Sequence, residues 1–302
     1  MASMPGTSHQ LSFEDHRRAM AGLKYVYPVL SRRARGISIG INLNPDKACN
    51  FDCVYCQVDR TIPGFKGIDL DVLEQELSTL LRWVADGSLF QYPPFDTTPV
   101  SMRRVNDVCF AGDGEPTTAP EFEAAVDRVI ALKRQYQLET LKIVVITNAT
   151  MLHRPRVVQA LSALDHANGE VWAKLDAGTE AYYDQVCVTN VPFARILTNL
   201  LHTALQRPLV IQSLFLEIDD KGPSNSELEA YIGQLKKLLE AGGQLKLIQV
   251  YTVARKPPSS RIHALSDAGI DAIVARIQAA IPVPVEGYYG SSQFMKQDEL
   301  AC

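Results

Sequence analysis

The chain has 302 residues, 46% hydrophobic and 21% charged, and its 30 Lys plus Arg against 34 Asp plus Glu give a net charge of −4. That composition belongs to a globular protein with enough chain for one large α/β core, and the acidic balance does not favour nucleic acid as a partner. No apolar stretch approaches the roughly 18 residues of a membrane span, and residues 1–10 lack the basic start and apolar core of a signal peptide, so the cytoplasm is the expected location.

Residues 1–36 read as a short leader whose basic residues His16, Arg17, Arg18, Arg32, Arg33 and Arg35 read as a solvated face, with phosphate binding as the alternative. Six β-branched, apolar runs follow, at 37–43, 105–112, 142–148, 171–176, 209–218 and 245–253, separated by helical patterns. Asp69 is placed to cap a helix carrying Leu70, Leu73, Leu77, Leu80, Leu81 and Val84, which Gly87 stops. Residues 90–102, with Pro93, Pro94 and Pro99, read as an irregular insertion. Phe122, Val126, Val129 and Ile130 mark a second helix, Val157, Val158, Leu161 and Leu164 a third, and Ile196, Leu197, Leu200 and Leu201 a fourth. Ser224 and Glu227 read as a capping box opening a helix that ends at Gly242-Gly243. Ile270, Ile273, Val274 and Ile277 suggest a last helix before a Pro- and Gly-punctuated tail at 282–302. Repeated βα units imply a parallel sheet, and six are too few to close an eight-stranded barrel. The expected architecture is α/β, a partial, open (β/α)6 barrel spanning 37–281.

Half of the six cysteines, Cys49, Cys53 and Cys56, sit within eight residues after the first strand. Thiolates are the usual ligands of a [4Fe–4S] cluster, and three of them leave one iron open. Zinc would need a fourth Cys or His at a second characteristic spacing, and the six histidines are scattered. Cys109, Cys187 and Cys302 read as unpaired, with Cys109 a small core residue.

In parallel α/β sheets, ligands gather at the carboxyl ends of the strands. That rim receives the cysteine loop, then Gly112-Asp113-Gly114-Glu115-Pro116, Thr147-Asn148, Lys174 and Asp176, and Gln212-Ser213. Glycine permits close backbone approach, and a carboxylate accepts from an ammonium, the favoured role for Glu115 over capping the next helix. Lys174 and Asp176 are two apart on a strand and share a face, as a buried ion pair or as ligands for substrate or cofactor. Glu217, Gln249, Tyr251, Thr252 and Arg255 are further candidate lining residues.

The C-x3-C-x2-C loop, with Tyr55 before its last cysteine, resembles that of the radical S-adenosylmethionine (SAM) superfamily. The likeness continues through Tyr25-Val26-Tyr27-Pro28, Ser31-Arg32-Arg33, residues 38–43, residues 49–60 and Trp172-Ala173-Lys174-Leu175-Asp176-Ala177. Together these look like a branch of iron–sulfur oxidoreductases grouped with the wyosine-type tRNA-modifying synthases. Residues 1–48 hold none of the cysteines on which those synthases carry a second cluster.

The resemblance implies that Cys49, Cys53 and Cys56 hold a [4Fe–4S] cluster whose open iron chelates the amino and carboxylate groups of SAM. It further implies that Gly112, Gly114, Glu115 and Pro116 contact the SAM amino group and that Tyr55 lies beside the adenine. Thr147, Asn148, Lys174, Asp176 and Ser213 offer donors and acceptors for ribose, carboxylate or substrate. An external one-electron donor would reduce the cluster, and SAM would be cleaved to methionine and a 5′-deoxyadenosyl radical that abstracts hydrogen from a substrate. No residue is assigned to the hydrogen transfer, and the substrate class (small molecule, RNA or protein) stays open. Alternatives are a glycyl-radical activating enzyme, an RNA-modifying enzyme of the same superfamily, or a non-catalytic iron–sulfur or zinc module for electron transfer or interaction.

Overall fold

The computed structural model describes residues 22–31, 33, 35–255, 257 and 259–290. His16, Arg17, Arg18, Arg32 and Cys302 lie outside the described residues. The chain divides into two compact units, one of residues 1–49, 60–146 and 154–170, the other of residues 50–59, 147–153 and 171–302.

In the first unit, strand β1 (Val26–Ser31) runs antiparallel to β2 (Gly36–Ile41), which pairs in parallel with β3 (Val105–Phe110), itself parallel to β4 (Lys142–Thr147). Helix α1 (Leu70–Ala85) connects β2 to β3, α2 (Phe122–Gln135) connects β3 to β4, and α3 (Pro155–Asp165) follows β4. The expected caps form. Asp69 accepts the N–H groups of Asp71 at 3.0 Å and Val72 at 3.2 Å, and Gly87 takes a φ of 73° after the helix. Leu73, Leu77, Leu80 and Leu81 are all fully buried, as the helical spacing demands. Glu76, a buried carboxylate, interrupts that apolar pattern and accepts the N–H groups of Lys24, Tyr25 and Val26 at 2.7, 2.9 and 3.1 Å. Those bonds fix the start of β1, which falls inside the stretch expected as a leader.

The second unit holds the larger part of β5 (Gly169–Lys174), then β6 (Leu209–Leu214), β8 (Leu245–Tyr251) and β10 (Val285–Tyr288), paired in parallel in that order. Between them run α4 (Glu180–Cys187), α5 (Phe193–Gln206), α6 (Asn225–Glu240) and α7 (Asp267–Ala280), while β7 (Leu216–Ile218) and β9 (Ile262–Ala264) make a separate antiparallel pair. The run expected as one strand at 209–218 is therefore two. The Leu214 N–H goes to the Asp176 carboxylate at 2.9 Å, the Phe215 N–H makes the last bond to β8, to the Tyr251 carbonyl at 2.8 Å, and Leu216–Ile218 then pairs with β9.

The capping box on α6 is half made. Ser224 accepts the Glu227 N–H at 3.1 Å, but the Glu227 carboxylate accepts instead from the Gly178 N–H and the Thr179 hydroxyl, both at 2.5 Å. Gly178 sits so close that an added Cβ would lie 2.0 Å from the Tyr231 nitrogen, so only glycine fits. Both units are α/β, and all six expected parallel strands form. No described helix is long and apolar enough to cross a membrane.

Candidate active site

Cys49, Cys53 and Cys56 are half-buried cysteines outside any disulfide, on the loop that follows β2. The Cys56 N–H donates to the Cys53 carbonyl at 2.8 Å, making a tight turn between two of the sulfurs. On either side of Cys53 the main chain is tied to the end of α4: Asp52 N–H donates to the Val188 carbonyl at 3.1 Å and Val54 N–H to the Val186 carbonyl at 3.0 Å. Asn50 fixes the loop further, its side chain accepting from Asn148 at 2.8 Å and donating to Thr150 at 2.7 Å, and its carbonyl accepting from Thr189 at 2.8 Å.

The hydrogen bond from the buried Cys187 holds the Cys53 thiol below its usual range, against burial and Asp176, which raise it. That bond and burial push Cys187 up. Among the described residues no three His, Cys, Asp or Glu side chains already converge on one point. The fit to a cluster therefore rests on the donor set: three accessible thiols in eight residues suit three irons of a cubane.

Tyr55, Lys174 and Asp176 are brought together as the sequence pattern expects. The Lys174 ammonium lies 3.1 Å from Asp176 Oδ2, donates to the Tyr251 hydroxyl at 2.6 Å, and sits 5.1 Å from the ring centroids of both Tyr55 and Tyr251. The Tyr55 hydroxyl donates to the same carboxylate oxygen at 2.5 Å, and the Leu214 N–H to the other oxygen. Burial pulls the Lys174 ammonium down, but Asp176 and Tyr251 outweigh it and hold the amine charged. Burial, then Asp176, pushes the Tyr55 phenol well up, so it remains a donor. Lys174, Gln212 and Gln249 are register partners across β5, β6 and β8, and the Gln212 amide donates to Gln249 at 2.7 Å.

The other expected residues have structural partners. Ser213 is fully buried, and its hydroxyl donates to the Leu175 carbonyl and pairs with the Tyr231 hydroxyl, each at 2.6 Å. The Thr147 hydroxyl accepts the Ala149 N–H at 3.1 Å, and Asn148, besides holding Asn50, accepts from Thr150. In the first unit, a Cβ on Gly112 would meet Asn42 Oδ1 at 2.4 Å, and one on Gly114 the Ala48 carbonyl at 2.0 Å. The two glycines thus let the loop after β3 lie directly against the backbone leading into the cysteine loop. Asn42 clasps that contact, donating to Asp113 at 2.6 Å and accepting its N–H at 3.1 Å. Glu115 is 3% exposed and caps the short turn that begins at Pro116, accepting from the N–H and hydroxyl of Thr117 at 3.2 and 2.5 Å. Its carboxylate is engaged as a cap, one of its two expected uses.

Two participants escape the sequence pattern. Asn50 is an unremarked member of the cysteine loop until its bonds to residues 148–150 and 189 are seen. Cys187 reads only as a free thiol, since no short spacing links it to Cys53.

Comparison with known proteins identifies the same chemistry. The family model described as Radical SAM superfamily matches residues 43–202, more than half of the chain. A "UPF0026 protein" of Helicobacter pylori strain J99 is 26% identical over 247 residues, covering 80% of this chain and 69% of that one. Among solved structures, a radical SAM methyltransferase from Sphaerobacter thermophilus superposes with a TM-score of 0.58 at 13% identity, over 87% of this chain and 69% of that one. A structure of TYW1 with a lysine-pyruvate adduct bound gives 0.53 at 13% identity, over 82% and 74% of the two chains. These likenesses show the fold, the partial α/β barrel of the radical SAM type.

Proposed function

We propose, from the premise that this chain belongs to the radical SAM superfamily, that Cys49, Cys53 and Cys56 are its cluster ligands and that residues 37–281 form its catalytic core. Membership brings a [4Fe–4S] cluster and SAM, which when bound supply reductive cleavage of SAM and a carbon radical able to take hydrogen from a substrate.

The observation that carries this reading is the buried ionic group one residue from the last ligand. Tyr55 reaches from the loop to the Lys174–Asp176 pair, so the cysteine loop and the end of β5 form one connected polar site. Its charges are compensated and desolvated, which keeps them strong for a zwitterion such as the amino-acid end of SAM or for a polar substrate. Within the first unit, the Gly112–Gly114 segment lies in close backbone contact with Ala48, just ahead of the first cysteine.

The TYW1 structure carries a lysine-pyruvate adduct. A lysine forms such an adduct as the neutral amine, and Lys174 is held as the ammonium by Asp176 and Tyr251. In this chain the Lys174 ammonium is engaged by the Asp176 carboxylate and the Tyr251 hydroxyl. An external one-electron donor and a hydrogen-donating substrate complete the scheme. Cys49, Cys53 and Cys56, none of them in a disulfide, suit the reducing cytoplasm.

The test is anaerobic loading with iron and sulfide, followed by reduction with dithionite with and without SAM. A reduced-cluster EPR signal that changes on adding SAM, with 5′-deoxyadenosine formed by the parent and not by the triple Cys49, Cys53, Cys56→Ala variant, is the expected result. A cluster indifferent to SAM, or one retained by the triple variant, overturns it.

A further inference from the structure

We propose that the exposed segment 60–67 is the docking surface for the external one-electron donor, and that this donor is a protein with an acidic contact face. The inference rests on the reading that Cys49 is a cluster ligand and names the partner that the reading requires.

Within the first unit, this segment is bound to the few residues that lead into the cysteine loop. The Phe65 N–H donates to the Pro45 carbonyl at 3.2 Å, the Lys47 ammonium to the Ile62 carbonyl at 2.8 Å, and the Arg60 guanidinium to the Lys47 carbonyl at 3.4 Å. A Cβ on Gly64 would lie 2.0 Å from the Pro45 carbonyl oxygen, so the two stretches meet through bare main chain. Lys47 is two residues from Cys49, which keeps their Cα atoms within about 7 Å. The segment therefore presents its side chains beside the first of the three cysteines. Electron transfer weakens steeply with distance, so a donor must bring its carrier to such a place.

The surface has the make-up of a contact patch. Every residue from 60 to 67 is exposed, which suits a macromolecule better than a small ligand that needs a concave site. Ile62 is 61% and Phe65 46% exposed, and Pro63 lies between them. The other large exposed apolar side chains, Tyr92, Val100, Val188 and Leu205, are scattered singly along the chain. The Phe65 ring rests against Tyr25 at 5.8 Å, and the Tyr25 hydroxyl accepts the Asp69 N–H at 3.1 Å, so the patch is braced before anything binds. Lys47, Arg60 and Lys66 flank this apolar centre. The flanking carboxylates of the same unit, Asp46 and Asp69, are engaged in accepting main-chain N–H groups, from Ala48 and from Asp71 and Val72. An apolar centre with a rim that leans positive fits, and steers, a partner whose own rim is acidic.

The experiment uses the full chain, loaded anaerobically, and compares two reductants by stopped-flow absorbance: flavodoxin hydroquinone, an acidic protein donor, and dithionite. Lys66→Glu and Ile62→Asp are each expected to lower the second-order rate constant with flavodoxin about tenfold, and to weaken binding of oxidised flavodoxin in calorimetric titration alike. The dithionite rate, and the 5′-deoxyadenosine formed with dithionite, stay as in the parent. Lys66→Arg keeps the parent flavodoxin rate, and added salt lowers that rate. Parent-like flavodoxin rates in Lys66→Glu and Ile62→Asp, a parent that flavodoxin does not reduce, or equal losses with both reductants overturn the proposal. So does an Ile62→Asp chain whose sedimentation mass falls while its flavodoxin rate is unaltered, because the patch then belongs to a second copy. The reading beneath fails separately, when dithionite yields no cluster that responds to SAM. Where that cluster forms and flavodoxin ignores the substitutions, only the docking surface is lost.

Discussion

Among the described residues each unit buries one aspartate almost completely, and the two are treated in opposite ways. Asp107, on β3, is 3% exposed; the Ser38 hydroxyl donates to it, and among the described residues no cation lies at ion-pair distance. Burial pushes its pKa up to about 6, only partly offset by Ser38, Lys142 and Arg33. Asp176, after β5, is 4% exposed but receives the Lys174 ammonium, the Tyr55 hydroxyl and the Leu214 N–H. A carboxylate buried with a single neutral donor drifts toward its uncharged form, whereas a full donor set lets a charged pair persist out of water. The first arrangement fills a core. The second maintains a field at the cysteine loop.

Breaking the compensated site should have the largest effect. Lys174→Met leaves Asp176 buried beside apolar groups and is expected to lower stability by about 3–5 kcal/mol in urea unfolding, with much of the loss recovered when Asp176→Leu is added. The uncompensated site should show itself in pH dependence. Because the folded pKa of Asp107 is raised from 3.8 to about 6, the folded state binds its proton more tightly. The stabilisation is thus complete below the unfolded value and lost as pH rises through about 6. Asp107→Asn should therefore gain about 2–3 kcal/mol relative to the parent between pH 4 and 7.5, read from paired urea titrations. A flat difference would mean that Asp107 is solvated. The smallest effect sharpens the contrast from inside the compensated site: Tyr55→Phe deletes one donor to Asp176 and should cost about 1.5 kcal/mol while leaving the Lys174 pair in place.

Much of this arrangement is legible without coordinates, for local reasons. The six parallel strands announce themselves by β-branched runs, and Asp69, Gly87, Ser224 and Gly242 mark helix ends through backbone rules that act within a few residues. The pairing of Lys174 with Asp176 follows from the two-residue strand period. What is illegible depends on distant partners. Pro28 hides β1, because a proline demotes a strand pattern, and Glu76 on α1 supplies the missing support. The break after Leu214 comes where its N–H goes to the distant Asp176 side chain and the chain then pairs with β9. Glu227 looks like half of a capping box until Gly178 and Thr179 claim it, and the end of α4 is tied to the cysteine loop only by the bonds of Asp52 and Val54 to its carbonyls.

Pro28 has one more effect, on encounters between chains. The bond from Asn42 N–H to the Tyr25 carbonyl sets the phase of the β1–β2 ladder, so Pro28, opposite Ile39, turns its main-chain nitrogen outward. β1 is one end of the strand order, and the other end, β10, is only four residues long. A strand from another molecule arriving at β1 meets a donor gap in mid-ladder, and at β10 it meets too short a template. Parallel sheets assemble slowly and expose their margins while they do so. Both margins here are poor seeds for amyloid-like growth.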